Sequence, residues 1–300
     1  MFGDDDRQVG EHAWALMGDD SGRYPSGNSV LIRGSDATVV IDPSLRIAER
    51  PDPPGPVDAV LLTHVHEDHV AGLHRLPDAD VYVHAADLLG VTSLDGLMTI
   101  YGLPPDADAA LRRVIVDRFH YVARPDARPF DAGFRLDLGG VSVEAVHLPG
   151  HTRGHCGYLI EPDGVLVTGD IDLTNFGPYY GDVWSDLDDF VDSLDRIAAI
   201  EARTYVTYHQ RGVVEGSARF QELVRGYAEM IDGREQRMVE FATDEPRTLA
   251  DFTRHRFVYR PHVELLWVDH AEHRSAEQSL RRLVAAGRMV EESPGAYRAS

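Results

Sequence analysis

Residues 63–69 read Thr-His-Val-His-Glu-Asp-His and constrain this chain more than any other stretch. Four side chains that bind metals, His64, His66, Asp68 and His69, fall within six residues. They follow the apolar run Val60-Leu61-Leu62, which reads as a strand, and precede Val70-Ala71-Gly72-Leu73. Neutral imidazole and carboxylate are the usual ligands of zinc and other first-row metals. In extended backbone His64 and His66 point to the same side, so both can reach one metal. Asp68 and His69 lie past the strand end and can face a second. A chain with this motif must deliver a strand end to a shared, polar edge.

Three further positions repeat the pattern of strand followed by ligand. They are His151 in Leu148-Pro149-Gly150-His151-Thr152, Asp170 in Val167-Thr168-Gly169-Asp170, and His209 in Tyr205-Val206-Thr207-Tyr208-His209. Strand ends in α/β sheets gather at one edge, where sites are commonly built. Most other histidines read as surface or hydrogen-bonded residues: His12, His74, His84, His120, His255, His262, His270 and His273. His147 falls within a strand and is assigned to packing or support of the ligands, and His155 to orienting the site by hydrogen bonding.

The set His64-x-His66-x-Asp68-His69, His151, Asp170 and His209 resembles the ligand set of the metallo-β-lactamase-fold hydrolases in order and spacing. Leu148–Thr152 and Thr168-Gly169-Asp170 resemble the glyoxalase II and lactonase branch. Asn28–Ile32 and Val40-Ile41-Asp42 match the first hairpin of the family. The resemblance covers residues 10–243. It implies an α+β fold, a four-layer αβ/βα sandwich, with a two-metal site at one sheet edge. It further implies that His64, His66 and His151 hold one divalent metal and Asp68, His69 and His209 a second, with Asp170 bridging. The expected metals are zinc, with iron or manganese as alternatives. Two metals lower the pKa of bound water, which suits attack of a bridging hydroxide on an ester, thioester or lactone carbonyl. Asp68 and Asp170 are then the candidate catalytic carboxylates.

The run after Asp170 lacks the Gly-Cys-Gly-Arg stretch associated with glyoxalase II, so glutathione recognition is not expected. Tyr179, Tyr180 and Tyr208 are candidate substrate contacts, with plain aromatic packing as the alternative. Arg211 and Arg153 flank ligand histidines and either bind an anionic substrate or form surface ion pairs. Asp172 is a candidate support for the ligands. Met98, Tyr101 and Phe119, in a region read as helical over about 85–118, either line an apolar acyl site or belong to the core.

Composition narrows the rest. Twenty-nine basic and fifty acidic residues leave a net charge of −21, which disfavours binding a phosphate backbone. A single cysteine, Cys156, excludes an intrachain disulfide framework and a cysteine-based zinc ribbon, and reads as a small buried hydrophobe. The acidic start and the lack of a long apolar run predict a soluble, cytoplasmic protein with no membrane partner. Residues 244–300 carry nine arginines and nine acidic residues, so all of the net charge lies on 1–243. This shift suggests a catalytic domain, 1–243, and a module, 244–300. The module reads as helix, glycine turn, strand, Pro-Gly turn, strand, which resembles a winged helix. Its neutral charge points to a structural or dimerising role, with a homodimer as one outcome, rather than DNA binding. Two other functions stay open: an iron-dependent oxygenase on the same scaffold, and a regulatory protein that binds nucleic acid or a partner through the module.

Overall fold

The computed structural model describes residues 5–51 and 55–300. Two sheets carry the ligand motif and its partners. The first has seven strands in sequential order: β1 (Arg7–Gln8), β2 (Ala13–Leu16), β3 (Ser29–Arg33), β4 (Thr38–Ile41), β5 (Ala59–Leu61), β6 (Asp80–His84) and β7 (Arg128–Phe130). It is antiparallel from β1 to β4 and parallel from β4 to β7. The second sheet holds β8 (Arg135–Asp137), β9 (Ser142–His147), β10 (Cys156–Glu161), β11 (Val165–Val167), β12 (Thr204–Val206) and β13 (Val213–Glu215) in reversed order.

Alternation along the strands explains why the sheets stack. Val30, Ile32, Val39 and Ile41 point inward and meet Val143, Tyr158, Ile160 and Val165 of the second sheet in one core. Leu31, Val40, Val60, Val81 and Val83 point the other way, into a core shared with the helices Leu94–Tyr101 and Pro105–Asp117. On the far side, Leu148, Leu166 and Tyr205 pack under the helices Leu187–Ala198 and Ser217–Phe241. Helix, sheet, sheet, helix is the four-layer αβ/βα arrangement expected from the sequence.

Local departures have physical causes. The region expected to be helical over 85–118 is broken into short helices, Leu88–Thr92, Leu94–Tyr101 and Pro105–Asp117. Ser93 caps the second of these through its hydroxyl, Gly102 ends it in a left-handed conformation, and Pro105 opens the third. The helix at 187 is capped by Asp186, which accepts from the amides of Asp188 and Asp189. The Ser185 hydroxyl donates to the His151 carbonyl, 2.8 Å away.

The C-terminal elements are β14 (Arg247–Thr248), helix Leu249–His255, helix Val268–Ala285, and the hairpin β15 (Met289–Ser293) and β16 (Ala296–Ala299). The sheet order is β14-β16-β15. Their core, with Phe252, Leu280, Leu283 and Met289, also takes in Met238 and Ala242. The helix Ser217–Phe241 therefore serves two cores: Phe220 to Ile231 face the second sheet, and Met238 faces the C-terminal elements.

Candidate metal centre

The seven residues singled out in the sequence converge at one end of the two sheets. Donor atoms of His64, His66, His151 and Asp170 form one group, all within 4.8 Å of one another, and those of Asp68, His69 and His209 form another. Asp170 joins them. Its Oδ2 lies 3.2 Å from His151 Nε2 and 4.0 Å from His64 Nε2. Its Oδ1 lies 2.9 Å from His69 Nε2 and 4.0 Å from His209 Nε2. His209 Nε2 is 3.1 Å from Asp68 Oδ2.

Two glycines make this convergence sterically feasible. Gly169, before Asp170, adopts φ +56, and a Cβ there would stand 2.5 Å from His155 Nε2. Gly150, before His151, adopts φ +126, and a Cβ there would meet the Phe190 backbone at 2.3 Å. Both motifs therefore depend on glycine's left-handed freedom and missing side chain.

Each imidazole presents one nitrogen to the centre because its other nitrogen is engaged. His151 Nδ1 donates to the Tyr179 carbonyl at 3.0 Å, and His209 Nδ1 donates to the Gly22 carbonyl at 2.7 Å. His64 Nδ1 meets the Thr63 hydroxyl at 3.1 Å, and His69 Nδ1 lies 3.0 Å from Asp42 Oδ2. His66 is reversed: Nδ1 turns inward, 3.0 Å from both His64 and His151 Nε2, while Nε2 faces Asp182 at 3.0 Å. Partners of this kind fix the tautomer and aim the lone pair of a metal-binding histidine.

Around this ring lie residues the motif did not reveal. Asp42 accepts both the Thr63 amide (2.7 Å) and the Thr63 hydroxyl (2.6 Å). It holds φ at 48, a strained conformation for a residue with a side chain. Asp87, fully buried, accepts from the Thr152 hydroxyl and the Gly154 amide, so it fixes the loop after His151. Asp182 also accepts from the Tyr179 hydroxyl at 3.0 Å. Asp42 follows a strand as Asp170 does, so the pattern could have flagged it. Asp87 and Asp182 follow no strand, and only the folded chain brings them in.

The electrostatics suit a cation. Burial, then the neighbouring His69, pushes His64 well below the usual imidazole range. Burial also opposes charge on His66, yet Asp182 outweighs it and raises that ring to about 9. His209 is raised to about 10, because Asp172, Asp170 and Asp68 overcome its burial. Burial disfavours the Asp170 carboxylate, but His69, His151 and His209 hold it well below the ordinary range. Burial and the nearby Asp170 lift Asp172 to about 8; its carboxylate accepts the His209 amide at 2.9 Å. Asp68 Oδ2, His69 Nε2 and Asp170 Oδ1 are buried, and their close ion-pair contacts lack hydrogen-bond geometry. Buried polar atoms left in this state are costly, and a divalent cation would satisfy all three. The donor set, three histidines or two histidines and a carboxylate around a shared aspartate, fits such ions.

The comparison with known sequences agrees with this geometry. Residues 23–209 match the metallo-beta-lactamase superfamily. The chain belongs to that superfamily. An acyl-coenzyme A thioesterase, MBLAC2 of Gallus gallus, is 28% identical over 206 residues, covering 61% of this chain and 72% of its own length. An uncharacterized protein of Mycobacterium tuberculosis is 36% identical over 99 residues, covering 32% of this chain. The match spans only 40% of the length of that relative. Among solved structures, a metallo-beta-lactamase family protein from Thermus thermophilus superposes with a TM-score of 0.68 at 21% identity. That superposition covers 92% of this chain and 94% of the other. A beta-lactamase domain protein from Burkholderia ambifaria gives 0.68 at 19% identity, over 99% and 94% of the two chains. These structures share the fold.

The candidate centre opens onto a cavity of about 330 Å³. Tyr179 lines it. Tyr208 does not; it is buried, stacks on His69 with ring centroids 3.5 Å apart, and donates to the Asp68 carbonyl at 2.7 Å. Tyr180 is buried beside Ser279. The Arg211 guanidinium is turned onto the Leu173 carbonyl at 2.9 Å and takes no part in the lining. Arg153 lies over the Trp184 ring. Tyr101 lines the cavity, whereas Met98 and Phe119 are buried in the core. Cys156 is fully buried, with its thiol pushed up by burial. His155 donates from Nδ1 to the Leu148 carbonyl and accepts the Asp170 amide on Nε2 at 3.0 Å. His147 stacks on His84 away from the centre.

Proposed function

We propose that this chain is a binuclear metal-dependent hydrolase of an ester, thioester or lactone carbonyl. The observation that carries this reading is Asp170, whose two oxygens face two separate donor groups. In this reading His64, His66 and His151 would hold one divalent cation, zinc in the first instance. Asp68, His69 and His209 would hold the other, with Asp170 shared by the two groups. Such cations would lower the pKa of bound water and stabilise developing charge on the attacked carbonyl oxygen and on the departing oxygen or sulfur. The protein's own residues do the remainder. Asp182, Asp42, Gly22 and Tyr179 lock the imidazoles in place. Asp68 and Asp170 are the carboxylates placed to hold or pass on a proton at the cavity floor. Of Tyr179, Tyr180 and Tyr208, Tyr179 has access to a bound acyl group, as Tyr101 and Tyr259 also do; Tyr180, Tyr208 and Arg211 act from behind the walls.

The substrate is a small molecule. A thioester is favoured by the likeness to an acyl-coenzyme A thioesterase. The net charge of −21 argues against nucleic acid as the partner. In this reading residues 244–300, with β14, two helices and the hairpin, form a winged-helix-like module that serves structure and not DNA reading. No helix among the described residues is long and apolar enough to cross a membrane.

Metal-replete protein should hydrolyse at least one member of a panel of lactones, activated esters and acyl thioesters, without any requirement for glutathione. Oxygen consumption on a sulfur substrate, with no hydrolysis across the panel, would reject this reading in favour of an iron oxygenase.

A further inference from the structure

The cavity above the candidate metal centre is asymmetric. Its floor carries His66, Asp68, His151, Asp170 and His209. The rest of its lining is rich in rings and alkyl groups and forms a wall of Leu111, Phe176, Leu265 and Trp267, with Tyr101 stacked on His66 beside the floor. Leu265 and Trp267, with Tyr259, arrive from the segment between the last two helices, more than fifty residues beyond the final candidate ligand, His209.

That segment is fastened in place. Glu272, buried on the helix Val268–Ala285, accepts the amides of Phe257 (2.9 Å), Val258 (3.0 Å) and Tyr259 (2.5 Å). The Tyr259 ring meets the Phe176 ring edge-on at 5.4 Å. Arg234 donates to the carbonyls of Phe176 and Pro178, and so holds the facing loop. Gln278 bridges the same loop to the helix Leu187–Ala198 by donating to the Tyr180 carbonyl and accepting the Leu187 amide. The wall is therefore preorganised, not a loose tail.

Two of its side chains remain in water: Phe176 is 42% exposed and Leu265 is 45% exposed. Apolar groups gathered at the mouth of a cavity gain free energy when an apolar ligand covers them. Outside the candidate ligands the lining carries one arginine, Arg23, beside Glu67, Asp172 and Asp182, so no cluster of basic side chains awaits an anionic tail and a neutral apolar chain is the fitting occupant of the apolar wall.

We infer that the segment Tyr259–Trp267 is the wall of an acyl pocket, and that Leu265, Trp267 and Phe176 select substrates with an extended apolar acyl group. The inference rests on the hydrolase reading for its reaction but not for its binding site. The C-terminal elements thereby become part of the specificity apparatus.

Leu265→Glu places a charge in the wall, at a site exposed enough to leave folding intact. Leu266→Glu is the control, since Leu266 is 63% exposed and does not line the cavity. With full-length, metal-replete protein and one leaving group, kcat/KM is measured from acetyl to decanoyl substrates. Wild type and Leu266→Glu should gain roughly threefold per added methylene until the cavity is filled. Leu265→Glu should lose about tenfold or more on the decanoyl substrate and change less than about twofold on the acetyl one. Binding of 1-decanol and 1-hexanol, read by tryptophan fluorescence, tests the pocket without turnover. Tighter binding of decanol than hexanol, weakened about tenfold by Leu265→Glu alone, supports the pocket even if no panel substrate is hydrolysed. Hydrolysis with a flat or falling length profile, or identical behaviour of the two glutamate variants in both assays, overturns the pocket and leaves the hydrolase reading standing.

Discussion

Five imidazoles face the centre through one nitrogen each, and their outward partners decide which nitrogen that is. Asp170 is the residue on which both donor groups depend. Asp170→Asn keeps the shape and removes the charge, and a neutral amide is a poor bridge between two cations. The variant should lose metal from both groups and at least about a hundredfold in turnover, by elemental analysis and rate assay on the same sample. Retention of two metals with near-normal turnover would refute the assignment of Asp170. A second prediction concerns protons. In the metal-free chain His66 titrates at about 9 and His209 at about 10, so both rings are protonated at neutral pH. A cation can bind only their neutral forms. Uptake must therefore release protons near pH 7.5, and affinity must rise with pH up to about 10 and fall in acid. Calorimetry in two buffers of different ionisation enthalpy measures that release; equal heats in both would contradict it. The seven candidate ligands were legible in the sequence because each ends or follows a strand. Asp182 was not, because it reaches His66 from a loop that carries no periodic signal.

At the scale of elements, the sheet strands were readable wherever apolar residues alternate or run together, as in β3, β4 and β9. β1, β2, β7, β8, β13 and β14 escaped notice. They are two to four residues long, too short for either pattern to develop. The region 85–118 has a helical apolar spacing, yet its breaks are set by Ser93, Gly102 and Pro105, whose effects are local. The link most exposed to test is Glu272. Its carboxylate satisfies three backbone amides at the start of the cavity-wall segment, and hydrogen bonds to a charged group contribute about 1.5–3 kcal/mol each when isolated. Because the three share one carboxylate they do not add in full. Glu272→Ala should destabilise the protein by about 3 kcal/mol in urea unfolding followed by tryptophan fluorescence. A change below about 0.5 kcal/mol would show that other contacts hold the segment.

For the molecule as a whole, two sheets packed face to face bring the ends of β5, β9, β11 and β12 to one edge, and each end is followed by ligand candidates. The resemblance to the metallo-β-lactamase fold implied this arrangement, whereas apolar patterning in the sequence marked only its separate strands. Neither gave access to the contribution of the C-terminal elements. A composition shift near 243 suggested a separate module, whereas helix Ser217–Phe241 packs into both cores and Trp267 reaches the cavity. Contacts between distant segments leave no local pattern, and charge balance does not report them. Hydrolysis at this edge requires two divalent cations, and elemental analysis of protein purified without added metal, paired with hydrolysis of the acyl panel, is the decisive measurement. Two redox-silent divalent ions per chain are expected, with hydrolysis lost on chelation and restored by zinc. One iron per chain with oxygen uptake and no hydrolysis, or hydrolysis that survives complete removal of metal, would contradict this expectation.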